Sequence, residues 1–190
     1  MKNIYILLMR STTPLSRIVH LVTADKYTHV SLAFDETLEP LYSSTRKNGE
    51  DMFPAGPCKE YLDRGYLKRH PSTPCALYRI SVSDEAFDKA NSEVERIMSE
   101  SDSYGFNIAG LVFCQLGHPL RRERKYFCSQ FVSEILSRSG ALTLPKEPCL
   151  MKPSDYADML ESKCCYVGSI GRLRLISNAF YPRKLSAQPA

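Results

Sequence analysis

The chain lacks a Cys-x-x-Cys pair, an even number of cysteines, a strong excess of either charge and an apolar run long enough to span a bilayer. Each absence removes a class of protein. The seven cysteines, at 58, 75, 114, 128, 149, 164 and 165, form no zinc-ligand spacing, and the vicinal pair Cys164-Cys165 has no partner pair. An odd cysteine count argues against a disulfide framework. The run Ile4-Tyr5-Ile6-Leu7-Leu8-Met9 is cut off by Arg10 and is followed by no small-residue cleavage site, so it reads as a buried strand rather than a signal peptide. A spanning helix needs about 20 apolar residues. A cytoplasmic protein is therefore expected, with neither a metal nor an organic cofactor. Lys and Arg number 25 against 21 Asp and Glu, giving a net charge of only +4. Basic residues cluster only in Arg121-Arg122-Glu123-Arg124-Lys125, too short a run to call for a nucleic-acid partner.

What remains is an ordinary globular composition, 43% apolar and 24% charged, over 190 residues. That suits a single domain spanning residues 1–190, with a core from about residue 3 to 176 and a loose tail at 186–190. Residues 3–9 suit a central strand. Thr13-Pro14 marks a helix start, with Leu15, Ile18, Val19 and Val22 on one face. Residues 28–34 alternate as a strand, and 38–44 form its hairpin partner. The glycines and prolines of 46–60 read as a loop, in the role of a flap. A strand at 77–82 leads to a helix from Ser83-Asp84-Glu85 to about Ser99, capped by a hydroxyl and carrying acids in its first turn. Further helices are expected at 105–116, from Cys128 to a glycine cap at Gly140, and at 153–160. A final strand is expected at 166–176.

Two residues carry reactive chemistry. Cys128 opens a helix whose positions 128, 131, 132 and 135 share one face. A helix N-terminus offers partial positive charge and free N–H groups. Both favour a thiolate, and the same donors can hold an oxyanion. Cys114, inside an apolar helical run, reads as packing. His29 lies in the strand at 28–34. The small residues Ser31 and Ala33 share its face, so the cysteine helix is expected to pack there and bring thiol and imidazole together. His20 belongs to the surface helix at 13–22, while His70 and His118 each precede a proline. A third group should orient the ring. The returning strand offers Tyr42, Ser43 and Ser44, with Glu39 before them. Ser43 is the assigned residue, and a backbone carbonyl is the alternative.

The segments Tyr27-Thr28-His29-Val30-Ser31-Leu32-Ala33-Phe34 and Phe127-Cys128-Ser129-Gln130-Phe131-Val132 together resemble the circularly permuted NlpC-type papain-like amidases, in which the histidine strand precedes the cysteine helix. The resemblance covers roughly residues 3–140. It implies an α+β fold with a papain-like core, an antiparallel sheet or partial barrel packed against the cysteine helix. It also implies catalytic roles for Cys128 and His29 and a polar third residue, often His, Asn, Gln or Glu. Here Leu41-Tyr42-Ser43-Ser44 occupies that region.

The expected activity is cysteine-dependent hydrolysis of an amide bond, in a peptide or cell-wall-type substrate, through a thioester. Two alternatives follow from the same residues. One is an acyltransferase or thioesterase acting on a lipid-type substrate, with Phe106, Ile108, Leu111, Val112 and Phe113 lining an acyl pocket; core packing is the commoner fate of such a run. The other is a degenerate fold used only for binding.

Overall fold

The computed structural model describes residues 1–10, 25–47 and 54–180. The expected helix at 13–22 with His20, part of the loop at 46–60 and the tail at 186–190 lie outside the described residues. The architecture is α+β. Among the described residues one antiparallel sheet of six strands has the order β4-β3-β2-β1-β5-β8. Its strands are β1 (Lys2–Met9), β2 (His29–Ala33), β3 (Leu41–Arg46), β4 (Ala55–Glu60), β5 (Pro74–Val82) and β8 (Cys164–Ser169). The continuous apolar run of residues 4–9 makes β1 the interior strand, flanked by β2 and β5, and all six of those residues are buried.

The sheet has a helical layer on each side. On one, Ile4, Ile6, Leu8, Val30 and Leu32 pack with Ala90, Val94 and Ile97 of α2 (Asp84–Ser99) and with Phe131, Val132, Ile135 and Leu136 of α4 (Cys128–Arg138). On the other, Tyr5, Leu7, Met9, Ala33 and Leu41 pack with Leu67 of α1 (Gly65–Arg69) and with Ile170 and Leu173 of α6 (Ile170–Phe180). Opposite faces of one strand thus feed two cores, as the twofold alternation of strand side chains requires.

Local sequence explains the helix bounds. The Ser83 hydroxyl accepts from the Ala86 N–H at 3.1 Å, and Asp84 and Glu85 occupy the first turn of α2. Past α4, Gly140 adopts φ 75°, the left-handed conformation that ends a helix. α5 (Pro153–Met159) begins on its proline. The helix expected at 105–116 is shorter. It is α3 (Ile108–Gln115), preceded by β6 (Gly105–Phe106), which pairs in parallel with β7 (Lys125–Tyr126).

Three expectations are corrected. The 46–60 segment ends in a strand, β4, rather than continuing as a loop. β4 is the sheet edge, where Pro57 can lack its N–H without breaking an interior ladder. The strand expected over 166–176 stops at Ser169, and the chain turns into α6, whose Ile170 and Leu173 follow helical rather than alternating spacing. The cysteine helix does not sit on the Ser31–Ala33 face. Its apolar residues share a core with Val30 and Leu32, whereas Ala33 belongs to the opposite layer.

Candidate active site

Registered pairing between β2 and β3 is confined to Leu32 opposite Tyr42. Towards His29, the first residue of β2, the strands part. Ser43 fills the breach: its hydroxyl donates to the Val30 carbonyl at 2.7 Å, satisfying a backbone acceptor that a continuous ladder would have paired. Ser43 is therefore a structural residue of the β2–β3 seam, and not the residue beside the imidazole. Its neighbours are also committed elsewhere. The Tyr42 hydroxyl donates to Glu95 at 2.8 Å, and the Ser44 hydroxyl donates to the Tyr126 carbonyl at 2.7 Å. Glu39 accepts from the Leu62 N–H at 3.1 Å.

The group at the imidazole is Glu60, at the end of β4. Its Oε2 lies 2.8 Å from His29 Nε2 and accepts from the Ser31 hydroxyl at 2.7 Å. Ser31 Oγ lies 3.3 Å from the same ring nitrogen. Glu60 stands two strands from His29 in the sheet, so this contact requires the β2–β4 half of the sheet to coil, as the right-handed twist of strands promotes. The small Ser31 leaves room for the carboxylate. Ser31 on this face serves the carboxylate, whereas Ala33 packs into the second core.

Cys128 also lies close enough to the ring to help raise the His29 pKa, beside the Glu60 carboxylate. The structure thus brings Cys128 and His29 together, adds Glu60, and leaves Ser43 apart. His29 and Cys128 are each only 8% exposed.

Burial by itself opposes a charged imidazole, and here it is the largest single influence on His29. The combined pull of the Glu60 carboxylate and of Cys128 exceeds it, raising the His29 pKa to about 10. Glu60 shows the mirror image. Burial opposes its ionisation, but the charge and hydrogen bond of His29, the Ser31 hydroxyl and the charge of Arg46 hold its pKa below the ordinary carboxylate value. Near neutral pH the pair is an imidazolium and a carboxylate, sealed from most solvent. The sulfur therefore faces a positive ring.

α4 delivers the thiol. Phe127 precedes it in extended conformation and supplies no side-chain cap, so the first-turn N–H groups next to the sulfur are not consumed by a capping hydroxyl. Below the thiol, Ser133 and Tyr156 share a 2.6 Å hydrogen bond in the core. To the side, buried Asn107 fixes the approach of the chain. Its Oδ1 accepts from Gly110 N–H at 2.9 Å, and its Nδ2 donates to Leu120 O at 3.2 Å and to Gln130 Oε1 at 3.1 Å. A methyl group on Gly110 would overlap the Asn107 amide.

The remaining cysteines differ in kind. Burial pushes the Cys58 and Cys75 thiols up to about 12 and Cys114 to about 11, so they stay protonated near neutrality. Cys164 and Cys165 are exposed. Of the other histidines, His70 stacks on Tyr66 and lies 3.0 Å from the Tyr66 carbonyl through Nδ1, while exposed His118 closes the turn after α3. Among the described residues no group of three or more His, Cys, Asp or Glu is placed to hold a metal ion. A groove of about 390 Å³ runs between β4 and α2, lined by Lys47, Cys58, Glu95 and Asp102 among others; none of Cys128, His29 or Glu60 lines it.

Reading 46–60 as a loop leaves Glu60 without a place in the sheet, and therefore off the candidate list. The available signal was an acidic residue closing a short run, Ala55 to Glu60, downstream of the hairpin. Comparison of the chain with protein-family models, curated proteins and solved structures finds no match in any of the three.

Proposed function

We propose that the protein is a cysteine-dependent hydrolase of amide bonds in peptide or cell-wall-type substrates, with a permuted papain-like core of the NlpC type. The observation that carries this reading is the buried chain Glu60–His29–Cys128, with the sulfur at an uncapped helix N-terminus. All seven cysteines are free thiols, which fits a reducing compartment such as the cytoplasm.

The chemistry follows from the charges. An imidazolium and a helix N-terminus together form the environment in which thiolates are stabilised. The thiolate of Cys128 attacks the carbonyl carbon, forming a C–S bond and an oxyanion, which the Cys128 backbone N–H helps to hold. Collapse breaks the C–N bond as the His29 imidazolium passes its proton to the departing amine. In the resulting thioester the sulfur has lost its charge, and with it one of the influences that kept the ring protonated. The neutral ring then takes a proton from water. The hydroxide equivalent attacks the thioester, the C–S bond breaks, and thiolate, imidazolium and free acid result. Glu60 holds the ring's orientation through Nε2 and stabilises its charge throughout. The step needs no further cofactor.

The binding-only alternative rested on the lack of a suitable third group, and a carboxylate 2.8 Å from the ring removes that support. The test is trapping of the thioester. The chain is incubated with a panel of peptide amides and activated esters, acid-quenched, and its peptides are weighed by mass spectrometry. An acyl adduct on Cys128, absent in Cys128→Ala and strongly reduced in His29→Ala, supports the reading. Turnover that survives Cys128→Ala refutes it.

A further inference from the structure

α3 is built inside out. Its buried residues are Gly110 and Cys114, one turn apart, whereas of its large apolar side chains only Leu111 is partly covered and the others face solvent. Ile108 is 39% exposed, Val112 53%, Phe113 44% and Leu116 65%. Of the residues expected in the core or around an acyl pocket, Ile108, Val112 and Phe113 are exposed, while Phe106 and Leu111 are partly buried. A core-facing amphipathic helix buries its large residues and shows its small or polar ones. α3 does the reverse, and a contiguous exposed apolar face marks an interaction surface.

Charge decides what the face meets. After α3 the chain reverses at Gly117, and Leu120 returns to the start of the helix, where its carbonyl accepts from Asn107. The next residues are Arg121, Arg122, Glu123, Arg124 and Lys125, four bases against a single acid, and the first four are exposed. Parallel pairing of Gly105 with Lys125 fixes this basic run beside the helix N-terminus. Arg121 and Arg124 have acidic neighbours in Glu147 and Glu100, while Arg122 and Lys125 have no ion pair among the described residues. Half of the basic run, Arg122 and Lys125, is therefore left without an internal counter-charge among the described residues. An apolar helix lying flat on the surface, bordered by unspent positive charge, has the two components of interfacial adsorption: side chains that enter the acyl boundary and cations that meet anionic headgroups. Among the described residues no helix is long and apolar enough to cross a membrane, so the contact is peripheral.

We propose that α3 and the segment 121–125 form a docking surface for anionic lipid membranes. The surface adjoins the N-terminus of α4 through β7, so adsorption presents the Cys128 end of the molecule to the bilayer. The docking does not depend on the chemistry at Cys128.

The test is cosedimentation of the full chain with vesicles of phosphatidylcholine alone and of phosphatidylcholine mixed with phosphatidylserine. The wild type and Cys128→Ala pellet with the anionic vesicles and stay in solution with the neutral ones. Arg122→Gln weakens binding about fivefold, the loss expected for one basic residue near an anionic surface. Val112→Asp with Leu116→Asp abolishes binding; both positions are exposed, and an unchanged circular dichroism spectrum verifies the fold. Failure to pellet with either composition overturns the proposal. So does sedimentation velocity that finds a wild-type dimer dissolved by the Val112/Leu116 change, because a second copy would then own the face.

Discussion

Replacing Glu60 by glutamine should uncouple the imidazole from its charge while leaving the shape of the site intact. The carboxylate is only 14% exposed in its side chain and accepts from His29 and Ser31. Glutamine keeps the volume and one carbonyl oxygen, so a neutral hydrogen bond survives where a charged one stood. A hydrogen bond to a charged group is worth about 1.5–3 kcal/mol. Since 1.36 kcal/mol corresponds to one pH unit, the His29 pKa should fall from about 10 to about 8 or 9, with burial pulling it lower still.

Stability changes accordingly. His29 has a folded pKa above its unfolded value of 6.5, so its contribution is complete below pH 6.5 and is lost as pH rises through about 10. Glu60 has a folded pKa below its unfolded value of 4.5, so its contribution is complete above that pH and is lost as pH falls through the lowered value. Wild-type stability from this pair should therefore be greatest between about pH 4.5 and 6.5 and decline on the alkaline side. In Glu60→Gln the acid limb disappears and the alkaline decline flattens, with about 1.5–3 kcal/mol lost near pH 6. Urea unfolding across pH gives the stability, and the His29 Cε1 proton resonance gives the titration. An unchanged His29 titration in the variant would refute the assignment of Glu60 as the ring's charge partner.

Ser43→Ala should lower stability by about 1 kcal/mol by orphaning the Val30 carbonyl, while leaving the His29 titration where it is; the same two measurements check it. Asn107→Ala removes a helix cap and leaves Gln130 and Leu120 without their partner, so urea unfolding should register a loss of about 2–4 kcal/mol. Phe131→Ala opens a cavity between α4 and the sheet in a fully buried position and should cost about 3–5 kcal/mol by the same method.

The parts legible from sequence were those fixed by short-range chemistry. The apolar run at the N-terminus read as an interior strand because six consecutive apolar residues, cut off by Arg10, are too short for a buried helix and suit a strand covered on both faces. Ser83 before two acids declared the start of α2, and Cys128 at the head of a 131/132/135/136 stripe declared the start and inner face of α4. The strand carrying His29 was readable from its alternation, but the face on which the cysteine helix packs was not, because that helix shares its core with Val30 and Leu32. Glu60 was not readable. Its place depends on a β4 register set across the 46–60 segment, and on a coil of the sheet that lets a residue two strands away reach past β3. Ser43 had the right type and the right hairpin, but the seam between β2 and β3 needed its hydroxyl more than the ring did. The inverted face of α3 was hidden for another reason. Apolar periodicity tells which residues share a face, and only the packing of Gly110 and Cys114 against their neighbours tells which face turns inward. A strand that bends into a helix at Ser169–Ile170 is likewise a tertiary outcome, decided by Ile170 and Leu173 finding the second core.

The central claim is that His29 activates Cys128, and alkylation measures it directly. Wild type and His29→Ala are treated with limiting iodoacetamide from pH 5 to 9, and the modified cysteines are assigned by peptide mass spectrometry. Exposed Cys164 and Cys165 serve as internal references, since neither contacts His29. The account predicts that Cys128 reacts faster than both below pH 7 in the wild type and loses that advantage in His29→Ala, while the references do not change. Equal Cys128 rates in the two proteins across the whole pH range would contradict it.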